Sequence, residues 1–169
     1  MMAITKKGKR QVTVTVYPSS LDDVNSIYES YTDLDKAFDS GSANNYARFH
    51  LIKGSQAQTF VYLNFDLSAI PDGATIVSVS AEGRMNMTGY QSTRWSDRGM
   101  WLASGTTQKS EKIYPTSLTE FSDVGTWTLA ELKEAKMCWY VKRSGNSSYY
   151  NTDYYIYVYG GSITVTYEI

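Results

Sequence analysis

The chain has almost none of the residues from which reactive sites are usually built. Cys138 is the single cysteine and His50 the single histidine among 169 residues. One thiol closes no disulfide within the chain, which excludes the disulfide-scaffold class. One cysteine and one histidine do not make a zinc site of the usual kind. A Ser-His-Asp triad would have to use His50. That residue sits in Arg48-Phe49-His50-Leu51-Ile52, a short alternating segment without a nucleophile-elbow signature. No glycine-rich phosphate loop is present. The expectation is a protein with no catalytic residues, no cofactor and no bound metal.

A dominant charge is also missing. The 16 basic and 17 acidic residues leave a formal net charge of -1. No global field draws the chain to nucleic acid or to an anionic membrane. The local exception is Lys6, Lys7, Lys9 and Arg10. This run reads as a flexible basic arm over residues 1–11. It is expected to dock on a neighbouring protein rather than to read nucleic acid. No apolar run approaches the roughly 18 residues of a membrane span. The N-terminus has no apolar h-region, so no secretory leader is read and folding in a cytoplasm is expected.

What is present suits strands. Hydrophobic residues make up 42% and charged residues 20%, enough apolar material for a core. The expectation is a single domain over 12–169. Tyrosine, at 15 residues, fits a pleated, half-buried surface. Val12, Val14 and Val16 alternate with Thr13, Thr15 and Tyr17 until Pro18. Val61, Leu63, Phe65 and Leu67 share one face, and Phe60, Tyr62, Asn64 and Asp66 the other. After a turn at 70–73, Val77, Val79, Ala81, Gly83, Met85 and Met87 line the apolar face of a long strand. Met100 and Leu102 oppose Trp101, and Met137, Trp139 and Val141 oppose Cys138, Tyr140 and Lys142. Ile156 and Val158 oppose Tyr155, Tyr157 and Tyr159. Gly160-Gly161 then interrupts the strand as a bulge or bend would. Ile163, Val165, Tyr167 and Ile169 close the chain on one face.

Helix is scarce. Thr128-Leu-Ala-Glu131 is a capping box and predicts a short helix near 128–135. Residues 18–44 read as a long loop with at most a turn of helix around Leu34, Ala37 and Phe38. Segments 104–125 and 143–153 read as loops. Many alternating strands with turns between them predict an all-β, antiparallel sandwich of about eight strands, specifically a jelly roll.

Two stretches carry a resemblance. Residues 59–87 contain Phe65-Asp-Leu-Ser-Ala-Ile70-Pro-Asp-Gly-Ala-Thr-Ile76, followed by a long alternating strand. This resembles a pattern in carbohydrate-binding-module-like jelly rolls of bacterial surface proteins, the DNRLRE-type domains. It also resembles a group of bacteriophage virion jelly-roll proteins. Trp127-Thr-Leu-Ala-Glu-Leu132 and the closing strand Tyr157-Val-Tyr-Gly-Gly-Ser-Ile-Thr-Val-Thr-Tyr167 resemble the C-terminal half of the phage proteins. The second strand departs from the pattern, with Ala81-Glu-Gly-Arg-Met85 where Ala-x-Leu-x-Leu is usual. The resemblance implies a non-enzymatic structural component of a tailed-phage virion: a decoration, fibre-base or tail/neck protein. Its expected partners are other virion proteins of the capsid, neck or tail, and itself as a homo-oligomer. It would be assembled in the host bacterial cytoplasm. The other branch implies a carbohydrate-binding module or adhesin domain, and a virion protein can also bind host glycan. Neither motif is a ligand motif, so no binding residue is carried over.

Candidate contact residues follow from the pattern. If Ile156 and Val158 enter the core, Tyr155, Tyr157 and Tyr159 face outward in a row. An aromatic row of this kind marks a contact surface, weighed here as subunit interface ahead of inter-sheet packing and glycan binding. Trp95, flanked by Arg94 and Arg98 in a polar segment, is the candidate loop anchor for a glycan. Trp139 belongs to the core by its alternation. Asp33-x-Asp35-x-x-x-Asp39 lacks the glycine and bidentate Glu of an EF-hand, so a Ser/Asp-rich loop is the better reading than calcium. Glu131 and Glu134 are not read as a glycosidase pair, because the capping box uses Glu131.

Overall fold

The alternating runs form two antiparallel sheets packed face to face, as the computed structural model shows. The structure describes residues 8–24, 28–38, 45–51, 58–87, 95–121, 124–143 and 154–169. The strands in chain order are β1 (Gln11–Val16), β2 (Pro18–Val24), β3 (Tyr28–Thr32), β4 (Tyr46–Leu51), β5 (Gln58–Phe65) and β6 (Thr75–Met87). They continue with β7 (Trp95–Ser104), β8 (Thr107–Gln108), β9 (Thr119–Glu120), β10 (Ala135–Arg143) and β11 (Tyr154–Glu168). A 3-10 helix spans Leu34–Phe38, and α1 spans Leu129–Lys133.

Sheet A has the order β3-β4-β11-β6-β9, with β1 also paired to β11. Sheet B has the order β2-β5-β10-β7-β8. From β4 onward the strands fall into the jelly-roll arrangement: β4-β11-β6-β9 faces β5-β10-β7-β8. The expected fold class is therefore the observed one, and β1, β2 and β3 extend it.

The core lies between the inner faces. Phe49, Leu63, Met85, Met100, Met137 and Trp139 are each at most 1% exposed. Full burial of a large apolar side chain contributes about 1.5–3 kcal/mol. Val61 and Leu63 of β5, Val158 of β11 and Trp139 of β10 all point inward, as period two requires.

β11 carries the decisive irregularity. Its register against β6 shifts between Val158 and Gly161. On the near side Val158 faces Met85; on the far side Gly161 faces Gly83. One extra residue in β11 makes a β-bulge. It lets Ile156 and Val158 point inward before it and Ile163, Val165 and Tyr167 after it. Both facing glycines are needed for close approach. A Cβ on Gly161 would meet the Glu82 carbonyl oxygen and lie 2.9 Å from Met137 Cε. A Cβ on Gly83 would meet Met100 Cε and lie 3.0 Å from Met137 Sδ.

Four expectations change. Residues 18–24 and 28–32 are strands, because β5 and β4 supply hydrogen-bond partners that the local pattern does not advertise. Val77 is 49% exposed and Ile76 takes the inner side, since the register shifts again opposite Thr166 and Tyr167. The helix stops at Lys133, because Ala135 already pairs with Ser104 in β10. The basic arm is shorter than residues 1–11: Arg10 and Ile169 exchange two backbone hydrogen bonds of 3.1 Å, and β1 starts at Gln11.

The capping box of α1 is in place. The Glu131 carboxylate accepts from the Thr128 amide at 2.8 Å and from Lys109 Nζ at 3.0 Å. The Glu131 amide donates to Thr128 Oγ1 at 3.2 Å. The Thr128 amide, then Lys109 and the Thr128 hydroxyl, hold the carboxyl down from 4.5 to about 2. The stability this supplies is present above the ordinary value and is lost as pH falls through about 2.

Two outcomes follow. Gly161→Ala overpacks the bulge and should cost about 1–3 kcal/mol in denaturant unfolding. Glu131→Gln should flatten the loss of unfolding midpoint between pH 4.5 and about 2 while keeping the cap, because glutamine serves the same box.

Candidate functional site

The tyrosine row lies on the outer face of sheet A, on the side its alternation predicts. β4 sits beside it in register: Tyr155 faces His50, Tyr157 faces Arg48, and Tyr159 faces Tyr46. Ala47 and Phe49 are buried on the inner side of β4, so Tyr46, Arg48 and His50 point outward. β6 adds Asn86 opposite Tyr157, with Arg84 near the bulge.

These side chains interleave into one ladder. Tyr46 touches Tyr157 edge-on at 4.8 Å between ring centroids and Tyr159 at 5.3 Å. His50 stacks on Tyr155 at 5.0 Å. The Arg48 guanidinium lies 4.7 Å from the Tyr155 ring, and that of Arg84 lies 4.3 Å from Tyr159. Aromatic pairs of this kind contribute about 0.5–1.5 kcal/mol beyond area burial. Cation–π contacts add about 0.5–1 kcal/mol each.

The ladder corrects one contact residue. Tyr159 is 5% exposed, capped by Tyr46 and Arg84, so it supports the surface and does not form it. Tyr155 and Tyr157 stay half-buried, and Arg48 is exposed. Arg84 Nε is buried with no acceptor among the described residues.

Past the bulge the same face changes chemistry. Thr13 and Thr166 hydroxyls meet at 2.9 Å, as do those of Thr15 and Thr164. Glu168 accepts from Gln11 at 3.1 Å and pairs with Lys9 at 3.1 Å. Gln11 first, then Lys9, hold its carboxyl below the usual carboxylate range. A shallow cleft of about 280 Å³ includes Tyr17, Glu82, Glu120 and Ser162.

The other expected residues are dispersed. Lys9 sits at the end of β1 on Glu168, and Arg10 is held by its backbone; Lys6 and Lys7 lie outside the described residues. Trp95 opens β7 opposite Arg143 and is a strand residue rather than a loop one. Its side chain, and all of Arg94, lie outside the described residues. Arg98 is half-buried with its guanidinium 3.5 Å from the Tyr114 ring centroid, which removes it as a free anchor. Asp33 has φ 57° and pairs with Lys36 at 3.3 Å, and Asp39 lies outside the described residues. Among the described residues no group of His, Cys, Asp or Glu could hold a metal ion.

A second aromatic cluster was not singled out from the sequence. It lies on the outer face of sheet B, where Tyr62, Cys138 and Trp101 line up across β5, β10 and β7. Phe60 lies 4.8 Å from Tyr140 and 6.2 Å from Trp101. Tyr62, Trp101 and Tyr140 are 5–8% exposed and Cys138 is 0% exposed. Burial pushes the Tyr62 hydroxyl up to about 12 and raises the Cys138 thiol further. The signal was the off-core parity of aromatics in three separate strands, which only the register unites.

Comparison with protein-family models, curated proteins and solved structures gives no match.

The buried thiol has a direct consequence. Cys138 should resist thiol-specific reagents in the native protein and react fully in denaturant, as absorbance titration would record.

Proposed function

We propose that the chain is a non-enzymatic structural component of a tailed-bacteriophage particle, working through protein–protein contacts. Decoration, fibre-base or tail/neck positions all fit, with assembly in the host bacterial cytoplasm. The supporting observation is the outer face of sheet A. Arg48, Tyr155 and Tyr157 combine exposed cationic area with half-buried rings that are already ordered. Tyrosine and arginine dominate the energetics of such contacts because they give large area at low ordering cost. The resemblance of residues 59–87 and 127–167 to phage jelly rolls supplies the particle.

Peptide mass spectrometry of purified particles from the source culture tests the reading. Stoichiometric peptides in the particle fraction are expected. An Arg48→Ala/Tyr157→Ala variant should keep its fold by circular dichroism yet lose incorporation by about tenfold or more, since truncation at a contact hot spot costs about 2 kcal/mol. Peptides found only as free soluble protein, with glycan-array binding lost in that variant, would replace this reading with a glycan-binding one.

A further inference from the structure

We infer that the free edge of β1 is a self-association site, where the strand pairs antiparallel with β1 of a second copy. The hydrogen-bond parity shows which groups are available. Arg10 and Ile169 exchange both backbone hydrogen bonds, so Val12, Val14 and Val16 do the same with Tyr167, Val165 and Ile163. The amides and carbonyls of Gln11, Thr13 and Thr15 therefore point away from β11. Among the described residues β1 pairs with β11 alone.

This edge lacks the protection that the other edges have. β8 and β9 are two residues long. β2 begins with Pro18, carries Asp22 and Asp23, and has a register shift. β3 carries Glu29 and a register shift. β1 is Gln-Val-Thr-Val-Thr-Val, without charge, proline or register shift. Its valines are only half-buried against the core. A regular, uncharged, β-branched edge is a template for strand addition.

The sequence of β1 fits itself. In an antiparallel pair centred on Val14, Thr13 faces Thr15 of the second copy and Val12 faces Val16 of the second copy. Directly opposite residues share a face, so valines extend the core side and threonines the outer side. Thr13 and Thr15 both carry free backbone groups, so this register joins them through hydrogen-bonded pairs. Val14 meets Val14 of the second copy in a non-hydrogen-bonded pair.

Charge favours the same occupant. Antiparallel pairing carries Arg10 and Lys9 of the second copy along sheet A toward the end of β3. The residues just beyond β3 include Asp33 and Asp35, both exposed. Edge pairing does not involve the aromatic ladder, so it stands or falls separately from the particle contacts proposed for that face.

Sedimentation velocity of the full chain across a wide concentration range tests the inference. The expected result is a reversible dimer of the 19.0 kDa chain. Thr13→Lys/Thr15→Lys sets lysines directly opposite one another across the two-fold axis and should give a folded monomer, with melting followed by circular dichroism. Under mild oxidation Val14→Cys should form a reducible cross-linked dimer, since close strand pairs lie within disulfide reach. Thr13→Cys should stay uncross-linked under the same conditions, and Cys138 is buried in every variant. A monomer at all concentrations overturns the inference. So does a dimer that survives the double lysine substitution, or one that Val14→Cys fails to cross-link.

Discussion

The glycine bulge in β11 is the constraint on which sheet A depends. β11 is 15 residues long and pairs with β1, β4 and β6. A strict period of two over that length would turn one half of its apolar residues to solvent. The extra residue at Gly160-Gly161 reverses the parity, so both halves feed one core. The Met137 and Met100 side chains from sheet B fill the space left by the two facing glycines. The bulge thus sets sheet register and inter-sheet packing together.

The bulge also divides the outer face. Before it, tyrosines and arginines interleave into a cationic aromatic ladder; after it, threonine pairs and glutamates form a hydroxyl-rich carpet. The boundary follows from the same backbone event, because the bulge places Arg84 beneath Tyr159 and Glu82 beside Ser162. Rings held by their neighbours lose little freedom when another surface packs on them.

The two outer faces illustrate how burial changes the meaning of aromatic residues. On sheet A the ladder keeps Arg48 exposed and two tyrosines half-exposed. On sheet B, Tyr62, Trp101 and Tyr140 sink to 8% exposure or less around Cys138. The first is a surface; the second is a small separate core. Alternation alone treats them alike, since both are simply off the main core.

Local alternation was enough for the all-β class, the inward residues of β5, β10 and β11, those of β6 from Val79 onward, and the outward side of Tyr155 and Tyr157. The capping box and the glycine bulge were also legible, because each is a short-range device with its own residue types. Tertiary structure alone decided the rest. β2 and β3 are strands because β5 and β4 offer them backbone partners, which no local pattern records. Tyr159 is buried because Tyr46, more than a hundred residues away in sequence, stands opposite it. Trp101, Tyr62 and Cys138 meet only through register. Side-chain direction is a property of neighbouring residues, but exposure and partnership depend on which strands lie alongside, and that is settled by packing.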